Sequence, residues 1–279
     1  MSAATRFSGR VCVVTGAANG MGRAFALALA REGALLAACD IDEAGLESLR
    51  VEPEVSVRQV LVDRVDVADP DARARFVARI ESGLGPVDLL VNNAGVGAGG
   101  PFAAIAGDDW TWLRAINLDA PLDFMRLVIP GMIARGRGHV LNIASVAGLM
   151  AFPYLSTYVA AKHAIVGVSR TLHHELEPRG VSVTVACPGI VRTGILDRGR
   201  ARGIDLEQMR KFFRFGIEPD VAVRRMLEAT RRGKALVIPN HDMKAVYAFY
   251  RLCPAPIDAL VAWISHRMIG EARTPPHRA

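Results

Sequence analysis

The sequence predicts an α/β fold: a doubly wound parallel sheet of about seven strands, with helices on both faces. Short runs of apolar and β-branched residues alternate with longer amphipathic stretches through the first two-thirds of the chain, the order that repeated strand–helix–strand units produce. The chain has 279 residues, of which 51% are hydrophobic, so it can build a substantial core. An α/β domain of this length need not be divided, and we predict a single domain over residues 1–279.

Short apolar runs predict the strands. Strands that are buried on both faces of a parallel sheet read as continuous apolar segments rather than alternating ones, and VCVVT and LLAACD near the N-terminus are of this kind. The predicted strands, in chain order, are residues 10–15, 35–40, 57–62, 87–91, 138–144, 181–187 and 235–238.

Amphipathic stretches between these runs are long enough to be crossover helices. The predicted helices are residues 21–32, 71–82, 110–134 and 158–177. Residues 190–216, which are rich in Arg and Gly, form a segment too long for a simple connection between two elements. This length predicts a functional lid. Residues 240–279 predict two further helices, separated by Pro254 and Pro256. This tail could cover a cleft, a partner subunit or a membrane surface, and we favour packing within the molecule or against a subunit.

Charge is unevenly distributed along the chain. The net charge is +6, but residues 198–279 hold 16 Lys/Arg against 8 Asp/Glu, or +8, which leaves −2 for residues 1–197. A solvated basic face explains this most simply, and attraction to anionic substrates or an anionic membrane is the alternative. No binding motif or aromatic–basic run accompanies the charge, so we expect no nucleic-acid partner.

The sequence suggests neither disulfides nor a metal site. The cysteines, none with metal-type spacing, are Cys12, Cys39, Cys187 and Cys253, and three of them lie in predicted strands, as buried free thiols do. The adjacent His173 and His174 point to different helix faces and form no i,i+4 metal pair. The N-terminus has no apolar signal core, and no apolar stretch reaches membrane-spanning length, so we expect a cytoplasmic protein.

A glycine-rich turn follows the first predicted strand. The segment TGAANGMG places Gly16, Gly20 and Gly22 between that strand and a helix containing AFALALA. Glycine permits a tight turn and close approach of the backbone to a pyrophosphate, whose charge then lies at the positive end of the helix. The order of strand, glycines and helix predicts a Rossmann-like dinucleotide site, although the glycines alone would also fit an ordinary turn.

An acidic residue narrows the choice of dinucleotide. Asp40 ends the second predicted strand, roughly 20 residues beyond the turn, where its carboxylate can accept hydrogen bonds from both adenosine ribose hydroxyls and would repel a 2′-phosphate. The turn residues Ala17, Ala18 and Asn19 offer no cation for such a phosphate. NAD is therefore favoured over NADP. A cap for a helix over residues 43–50 would explain Asp40 without a ligand.

Further motifs occur in order along the chain. They are NNAG at 92–95, YVAAK at 158–162, PGIVRT at 188–193, Asp66-Val67 after the third strand, Asn117 within a helix and Ser145 after the fifth strand. Together with TGAANGMG they resemble the short-chain dehydrogenase/reductase family in its common single-domain form, in register from about Gly9 to Thr193. Ala161 departs from the family pattern, in which many relatives have a small hydroxyl residue before the lysine, and this casts little doubt on the chemistry.

The resemblance implies a set of cofactor contacts. By similarity, Asp66 binds the adenine amino group, Val67 lines that pocket, Asn92 and Gly95 shape the wall beside the ribose, and Thr193 contacts the nicotinamide carboxamide. Asn93, although it belongs to the implied set, is expected to tie neighbouring strands together rather than to touch a ligand. The positions implied are Gly16, Asn19, Gly20, Met21, Gly22, Asp40, Ile41, Asp66, Val67, Asn93, Ala94, Gly95, Tyr158, Lys162, Pro188, Gly189, Val191 and Thr193.

The catalytic candidates are Asn117, Ser145, Tyr158 and Lys162. Tyr158 and Lys162 lie one helical turn apart, so the ammonium can approach the phenol and favour its ionised form. A phenol that titrates near 10 in water would then serve as general acid/base closer to neutral pH, helped by the charge of oxidised nicotinamide. Ser145 can donate a hydrogen bond to the substrate oxygen. The resemblance adds that Lys162 holds the nicotinamide ribose and Asn117 supports a proton-carrying water chain.

Substrate-facing positions are predicted after the fifth strand, after Pro188 and in the lid. They are Ser145, Val146, Leu149, Phe152, Tyr154, Tyr158, Gly189, Ile190, Met209, Phe212, Phe213 and Phe215. Most are apolar, which predicts a bulky hydrophobic alcohol or ketone. The phenylalanines could equally pack the lid onto the core.

These observations predict an NAD-dependent alcohol dehydrogenase or ketone reductase. One alternative is a 3-oxoacyl-thioester reductase, because the basic C-terminal part could attract a phosphopantetheine carrier or coenzyme A; Asp40 argues against the NADPH commonly used there. Another is an NAD-binding sensor or scaffold without turnover, against which the four catalytic candidates argue. The resemblance also implies a homotetramer or dimer built partly from helices at 110–134 and 155–178.

Overall fold

The computed structural model describes residues 7–57, 59–203 and 206–268. Seven strands form one sheet in the order β3-β2-β1-β4-β6-β7-β9, and every neighbouring pair in it is parallel. Its strands are β1 (Val11–Thr15), β2 (Leu35–Asp40), β3 (Val60–Arg64), β4 (Leu89–Asn92), β6 (Gly138–Ile143), β7 (Val181–Ala186) and β9 (Leu236–Val237); β5 (Ala98–Gly99) and β8 (Arg200–Ala201) form a separate parallel pair. The predicted doubly wound parallel sheet is confirmed.

Helices cover both faces of the sheet. They are α1 (Gly20–Arg31), α2 (Glu43–Arg50), α3 (Pro53–Ser56), α4 (Pro70–Gly83), α5 (Gly107–Arg114), α6 (Ala120–Ala134), α7 (Ser156–Leu176), α8 (Leu206–Phe213), α9 (Pro219–Arg231), α10 (His241–Tyr250) and α11 (Pro254–Met268). One apolar cluster joins α1, α2 and α9 to the sheet through side chains such as Phe25, Leu49 and Met226. A second joins α4 and α6 to the opposite face through Phe76 and Phe124.

Two predicted elements differ from the structure. The third strand begins at Val60 rather than residue 57, because residues 53–56 form the short helix α3, which buries Val55 and leaves Val57 exposed. The long helix predicted over 110–134 is interrupted by a π-helical turn at Ala115–Asp119. An apolar pattern with helical spacing does not reveal one inserted residue.

The carboxyl ends of the strands form one edge of the sheet. The strand order reverses between β1 and β4, and open α/β sheets bind ligands at such a crevice. The glycine turn follows β1, Asp40 ends β2, and Ser145 is the second residue after β6. The fold therefore brings the sequence motifs to this edge.

The predicted lid is anchored to β5 and α5. β8 pairs with β5, and Arg200 and Arg202 donate hydrogen bonds to the buried carboxylate of Asp109 at 3.0 and 2.6 Å. The Arg200 guanidinium also lies 4.2 Å from the Trp112 ring centroid. Residues 204–205 of this segment lie outside the described residues.

The C-terminal tail packs on the main body of the protein. Met243, Val246 and Tyr247 of α10 contact an apolar cluster that includes Met150 and Ile165. Residues 269–279 of the predicted tail lie outside the described part of the chain. In the part that is described, no helix combines the length and apolar character needed to cross a membrane.

Candidate active site

The turn between β1 and α1 has a backbone that favours glycine. Gly16 and Gly20 have φ of +68° and +54°, in the left-handed region. A Cβ atom on Gly22 would lie 1.8 Å from the Gly16 carbonyl oxygen, so the turn and the helix are in backbone contact. Among the described residues, no side chain caps the first turn of α1. The positive end of this helix is therefore available to an anion.

Asn93 holds this turn from the end of β4. Its Nδ2 donates to the carbonyl oxygens of Thr15 and Gly16 at 2.9 and 3.1 Å. The Thr15 hydroxyl accepts from the backbone N–H groups of Asn93 and Ala94, both at 3.0 Å. The Asn93 side chain thus ties two strands together and fixes the shape of the glycine turn.

Asp40 lies at the end of β2 and is buried. Its Oδ2 accepts a hydrogen bond from the Ala18 N–H and its Oδ1 one from the Asp42 N–H, each at 3.0 Å. The cap of α2 is Asp42, whose side chain accepts from the Gly45 N–H, so Asp40 does not serve as that cap. The next side chain, Ile41, is 54% exposed. A fixed carboxylate and an open apolar surface therefore stand side by side.

Arg198 of the lid reaches this end of the cleft. Its Nη2 donates to Asp42 Oδ2 at 2.8 Å, and its Nη1 lies 3.9 Å from Asp40 Oδ1. Asn19 Nδ2 donates to the same Asp42 oxygen at 2.8 Å. Hydrogen bonds from Gly45 and Asn19, together with the Arg198 guanidinium, hold the pKa of Asp42 below its usual value. The lid thus crosses from the β7 side to the β2 side.

Asp66 and Val67 follow β3 at the same edge. Asp66 is exposed, and its Oδ1 accepts from the Ala68 N–H at 2.8 Å. Val67 is buried, and its carbonyl accepts from Arg73. The Asp66 carboxylate is held by its own turn and is open to solvent.

Tyr158, Lys162 and Ser145 meet where β6 faces α7. Lys162 Nζ lies 5.6 Å from the centroid of the Tyr158 ring and donates to the Ile143 carbonyl at 3.0 Å. Ser145 Oγ accepts from the Ala147 N–H at 3.1 Å, which fixes the serine at the start of a short helical turn. Tyr158 and Ser145 line one pocket.

Burial dominates the titration of these groups. It raises the pKa of Tyr158 to about 12, against a smaller lowering by a hydrogen bond with Ser145. It lowers the pKa of Lys162 to about 8. The spacing of the two residues predicts a lowered pKa for the Tyr158 phenol. This prediction is wrong, because in the structure the pKa of the phenol is raised. The ammonium lies over the ring and bonds the Ile143 carbonyl, while desolvation of the phenol is the larger effect.

Asn117 lies in the π-helical turn and is fully buried. Its Oδ1 accepts from the Val96 N–H and its Nδ2 donates to the Val96 carbonyl, both at 2.8 Å. A Cβ atom on Gly95 would lie 3.3 Å from Asn117 Oδ1 and 3.6 Å from Lys162 Nζ. A glycine at position 95 leaves space beside these two polar groups. The π-turn that holds Asn117 is itself a feature often found at functional sites.

The segment from Pro188 to Thr193 is clamped at both ends. Asn240, which is buried, accepts from the Gly189 N–H at 2.9 Å and donates to the Ile190 carbonyl at 3.0 Å. At the other end, Thr193 Cγ2 lies 3.2 Å from the position that a Cβ would take on Gly20. This segment therefore connects the pocket at Tyr158 with the glycine turn.

A pocket of about 270 Å³ opens above Tyr158. Its lining is mainly apolar, with contributions from Met21, Ala98, Val146, Phe152, Leu155, Ile190, Val191, Ile195, Leu196 and Phe213. Its polar side chains include Ser145, Tyr154, Tyr158, Thr193, Arg200 and Ser265. The pocket can therefore enclose an apolar molecule and offer it a few hydroxyl groups as hydrogen-bond partners.

The C-terminal helix reaches the rim of this pocket. The Tyr154 hydroxyl lies 2.7 Å from His266 Nδ1, and the two rings pack edge to face with centroids 5.6 Å apart. Tyr154 is the one non-glycine residue of the described chain with positive φ, +68°. Its strained backbone and its contact with α11 place it between the pocket and the tail.

The family model of the short chain dehydrogenases matches residues 10–203. The chain belongs to the short-chain dehydrogenase family. It is therefore an oxidoreductase of that family, and the glycine turn, Asn117, Ser145, Tyr158 and Lys162 all fall within the matched range.

Similar proteins include a 3-oxoacyl-[acyl-carrier-protein] reductase from Thermotoga maritima, 32% identical over 78% of this chain and 89% of its own. A D-beta-hydroxybutyrate dehydrogenase from Rhizobium meliloti is 36% identical over 72% of this chain and 80% of its own. A crystal structure of a short-chain dehydrogenase/reductase from Burkholderia phymatum, in complex with NAD, matches with a TM-score of 0.82 at 30% identity, covering 91% of this chain and 96% of that one.

Some predicted site residues lie elsewhere in this short-chain dehydrogenase. Leu149 does not line the pocket but packs in the apolar cluster beneath α10. Asn92 donates to Asn142 Oδ1 at 2.8 Å and to the Pro121 carbonyl at 3.3 Å, inside the sheet. Phe215 is 86% exposed. The side chains of Met209 and Phe212 lie outside the described part of the structure.

Three residues with contacts around the site were not predicted from the family motifs: Arg198, Asn240 and His266. They lie at or beyond the end of the matching motifs, and their contacts join segments far apart in sequence. Asn240 had one available signal, since Asn directly before a helix is a common cap; here its side chain braces Gly189 instead. Arg198 and His266 had none.

Proposed function

We propose that the protein is an NAD(H)-dependent secondary-alcohol dehydrogenase or ketone reductase for hydrophobic substrates. The observation that carries the proposal is the placement of Ser145 and Tyr158 in a mainly apolar pocket, with Lys162 buried against the tyrosine ring. A hydroxyl donor and a phenolic acid/base beside one substrate oxygen are what carbonyl reduction needs.

The residues at the strand edge fit NAD. The glycine turn and the uncapped end of α1 suit a pyrophosphate, and Asp40 suits the ribose hydroxyls. Ile41 offers an exposed apolar surface to an adenine ring. When bound, the nicotinamide would supply or accept the hydride. A related family member of known structure is in complex with NAD, which supports the same choice here.

The protein's own residues would move the proton. Burial keeps Tyr158 as the neutral phenol at neutral pH, the form that donates a proton to a carbonyl oxygen during reduction. Ser145 would donate a second hydrogen bond to that oxygen as negative charge develops on it. For oxidation the phenol must lose its proton, and Lys162 supplies a positive charge 5.6 Å from the ring centroid. Asn117 would hold the loop at Val96 beside Lys162.

A substrate panel tests this proposal. The wild-type protein is incubated with NAD⁺ or NADP⁺ and with hydrophobic secondary alcohols, including alicyclic and steroid-like compounds, or with sugar alcohols. The proposal predicts NAD⁺ reduction with the hydrophobic alcohols and little with the polyols. The reason is that the mainly apolar lining offers few hydrogen-bond partners to the hydroxyl groups of a polyol. A preference for the polyols would refute the substrate class, and a preference for NADP⁺ would refute the cofactor.

A second candidate is reduction of a 3-oxoacyl thioester. The similarity to the Thermotoga maritima reductase favours it, as does the presence of Arg200 in the pocket wall, although Asp109 already pairs with that arginine. Adding acetoacetyl-coenzyme A with NADH or NADPH to the panel separates the two candidates. We also infer a homodimer or homotetramer from the family, which light scattering of the purified protein would test.

A further inference from the structure

The C-terminal end of α7 groups three metal-binding side chains. His173, His174 and Glu177 each offer one ligand atom, and these atoms all lie within 4.8 Å of one another. Glu177 is four residues after His173 and three after His174, so it neighbours both on the helix surface. The sequence predicts that the two adjacent histidines point to different faces of the helix, but in the structure their rings are in contact, and the Glu177 carboxylate lies close to both.

His173 is already held in the orientation that a metal ligand needs. The side chain is buried, and its Nδ1 lies 2.9 Å from the Val183 carbonyl oxygen. A carbonyl only accepts, so Nδ1 carries the proton and Nε2 keeps its lone pair. Metal-binding histidines commonly donate their other ring N–H to a backbone carbonyl in this way. His173 therefore supplies a fixed first ligand.

The other two side chains are exposed and able to adjust. His174 packs its ring edge to face against His173, with centroids 5.2 Å apart. Among the described residues, neither the His174 ring nor the Glu177 carboxylate forms a side-chain hydrogen bond or ion pair. The two exposed side chains are free to rotate, and the proposal requires them to move until each ligand atom lies about 2 Å from a shared metal ion.

The local charge also favours a cation. The three residues lie at the last turn of α7 and just beyond it, where the helix dipole is negative. Four arginines line the same groove: Arg10, Arg137, Arg231 and Arg232. Each has an acidic partner, since Arg10 and Arg137 share Asp88, Arg231 pairs with Glu32, and Arg232 pairs with Glu228. These ion pairs reduce the repulsion that the arginines would exert on a metal ion.

We propose that His173, His174 and Glu177 form a binding site for a divalent transition metal such as Zn²⁺, with water completing the coordination. Two imidazoles and one carboxylate suit Zn²⁺, Co²⁺, Ni²⁺ or Cu²⁺, whereas Mg²⁺ and Ca²⁺ prefer all-oxygen sites. The site lies fifteen residues after Tyr158 on the same helix, roughly 22 Å along its axis. Its role is structural: the metal would link the last turn of α7 to the residues that follow.

Metal titration of the tag-free, full-length protein tests this site. Zn²⁺ is titrated in competition with a chromophoric chelator against the wild type, His174→Ala and Glu177→Gln, in which only exposed side chains change. Both variants should bind Zn²⁺ at least about tenfold more weakly. The control is His163→Ala, an exposed histidine of the same helix, which should bind as the wild type does. Failure of the wild type to bind Zn²⁺, binding by both variants as tight as that of the wild type, or loss of binding in the control would each overturn the site.

Two further measurements separate this site from the catalytic proposal. Zn²⁺ should raise the Tm of the wild type more than that of Glu177→Gln, because a ligand that binds only the folded state stabilises it. In nitrogen-labelled protein, Zn²⁺ should shift the Nε2 resonance of His173 and leave Nδ1 protonated. If Zn²⁺ left the His173 Nε2 resonance unchanged, the metal-site proposal would be overturned, and this outcome does not depend on the substrate of the enzyme.

Discussion

Desolvation and charge act in opposite directions at Tyr158. The sequence places Lys162 one turn away and so predicts a lowered phenol pKa, yet burial raises that pKa to about 12 and lowers the lysine pKa to about 8. A pattern can place two side chains on one helix face. It cannot tell how much water reaches them, or that Ile143 accepts the lysine hydrogen bond.

Replacing Lys162 tests its burial through the pH dependence of stability. Its pKa falls from 10.5 to about 8 on folding, so between these values the unfolded chain holds a proton that the folded chain lacks. The cost of burying the ammonium is present in full below pH 8 and is relieved as the pH rises to 10.5. Chemical denaturation should find Lys162→Met more stable than the wild type near neutral pH, by up to about 3 kcal/mol.

This advantage should shrink as the pH rises through that window. The control is Lys244→Met, which changes an exposed lysine of α10 and should show a small difference from the wild type that does not depend on pH. A stability difference for Lys162→Met that stays constant from pH 7 to above pH 10 would contradict the lowered pKa.

We expect cofactor choice to depend on Asp40. Without its carboxylate, the ribose hydroxyls lose a partner and a 2′-phosphate is no longer repelled, while Arg198 remains within reach. The ratio of kcat/KM with NAD⁺ to that with NADP⁺ should fall about tenfold in Asp40→Ala, equivalent to about 1.4 kcal/mol. Asp69→Ala, which removes the cap of α4, serves as the control. An unchanged ratio in Asp40→Ala would remove this residue from its role.

At the scale of elements, the glycine turn and the first helix follow directly from the sequence. The order of strand, glycines and amphipathic helix is local, and so is its geometry. The π-turn that positions Asn117 is different, because the apolar pattern of residues 110–134 fits one regular helix. The two hydrogen bonds between Asn117 and Val96 stabilise the π-turn. They join two segments that the sequence pattern does not connect.

Adding one methyl group tests the close contact in the glycine turn. In Gly22→Ala the new Cβ would collide with the Gly16 carbonyl, so the turn must open. We expect a loss of about 1–3 kcal/mol in the free energy of unfolding and at least tenfold weaker NAD⁺ binding by calorimetry. Gly83→Ala is the matched control, because no atom lies within 4 Å of its Cβ position. It should be neutral or stabilising by about 0.5–1 kcal/mol, and similar behaviour of the two variants would contradict the account.

At the scale of the whole molecule, the sequence predicts seven strands and a parallel sheet because each strand–helix unit carries its own pattern. The sequence favours packing of the tail within the molecule or against a subunit over a membrane surface, but it does not predict which residues the tail contacts. In the structure, α10 packs on the apolar cluster that contains Met150, and His266 lies against Tyr154. In the structure the tail covers part of the protein's own pocket.

The contact between α11 and Tyr154 should control access to the pocket. In His266→Ala the hydrogen bond and the ring contact at the rim are lost, which leaves the strained Tyr154 backbone without this support. We expect KM for the alcohol substrate to rise roughly three- to tenfold, the equivalent of about one hydrogen bond, with the Kd for NAD⁺ unchanged. His241→Ala, at the exposed start of α10, is the control. Equal KM values in the two variants would contradict a role for α11 at the pocket.

We propose that Tyr158 transfers the proton in the reaction of this NAD-dependent oxidoreductase. The decisive experiment measures NAD⁺ binding by calorimetry, and turnover of the best alcohol, in wild type and Tyr158→Phe. The variant should bind NAD⁺ as the wild type does and lose turnover by a factor of about 10²–10⁴. Equal turnover in the two proteins, or NAD⁺ binding without any turnover in the wild type, would contradict it.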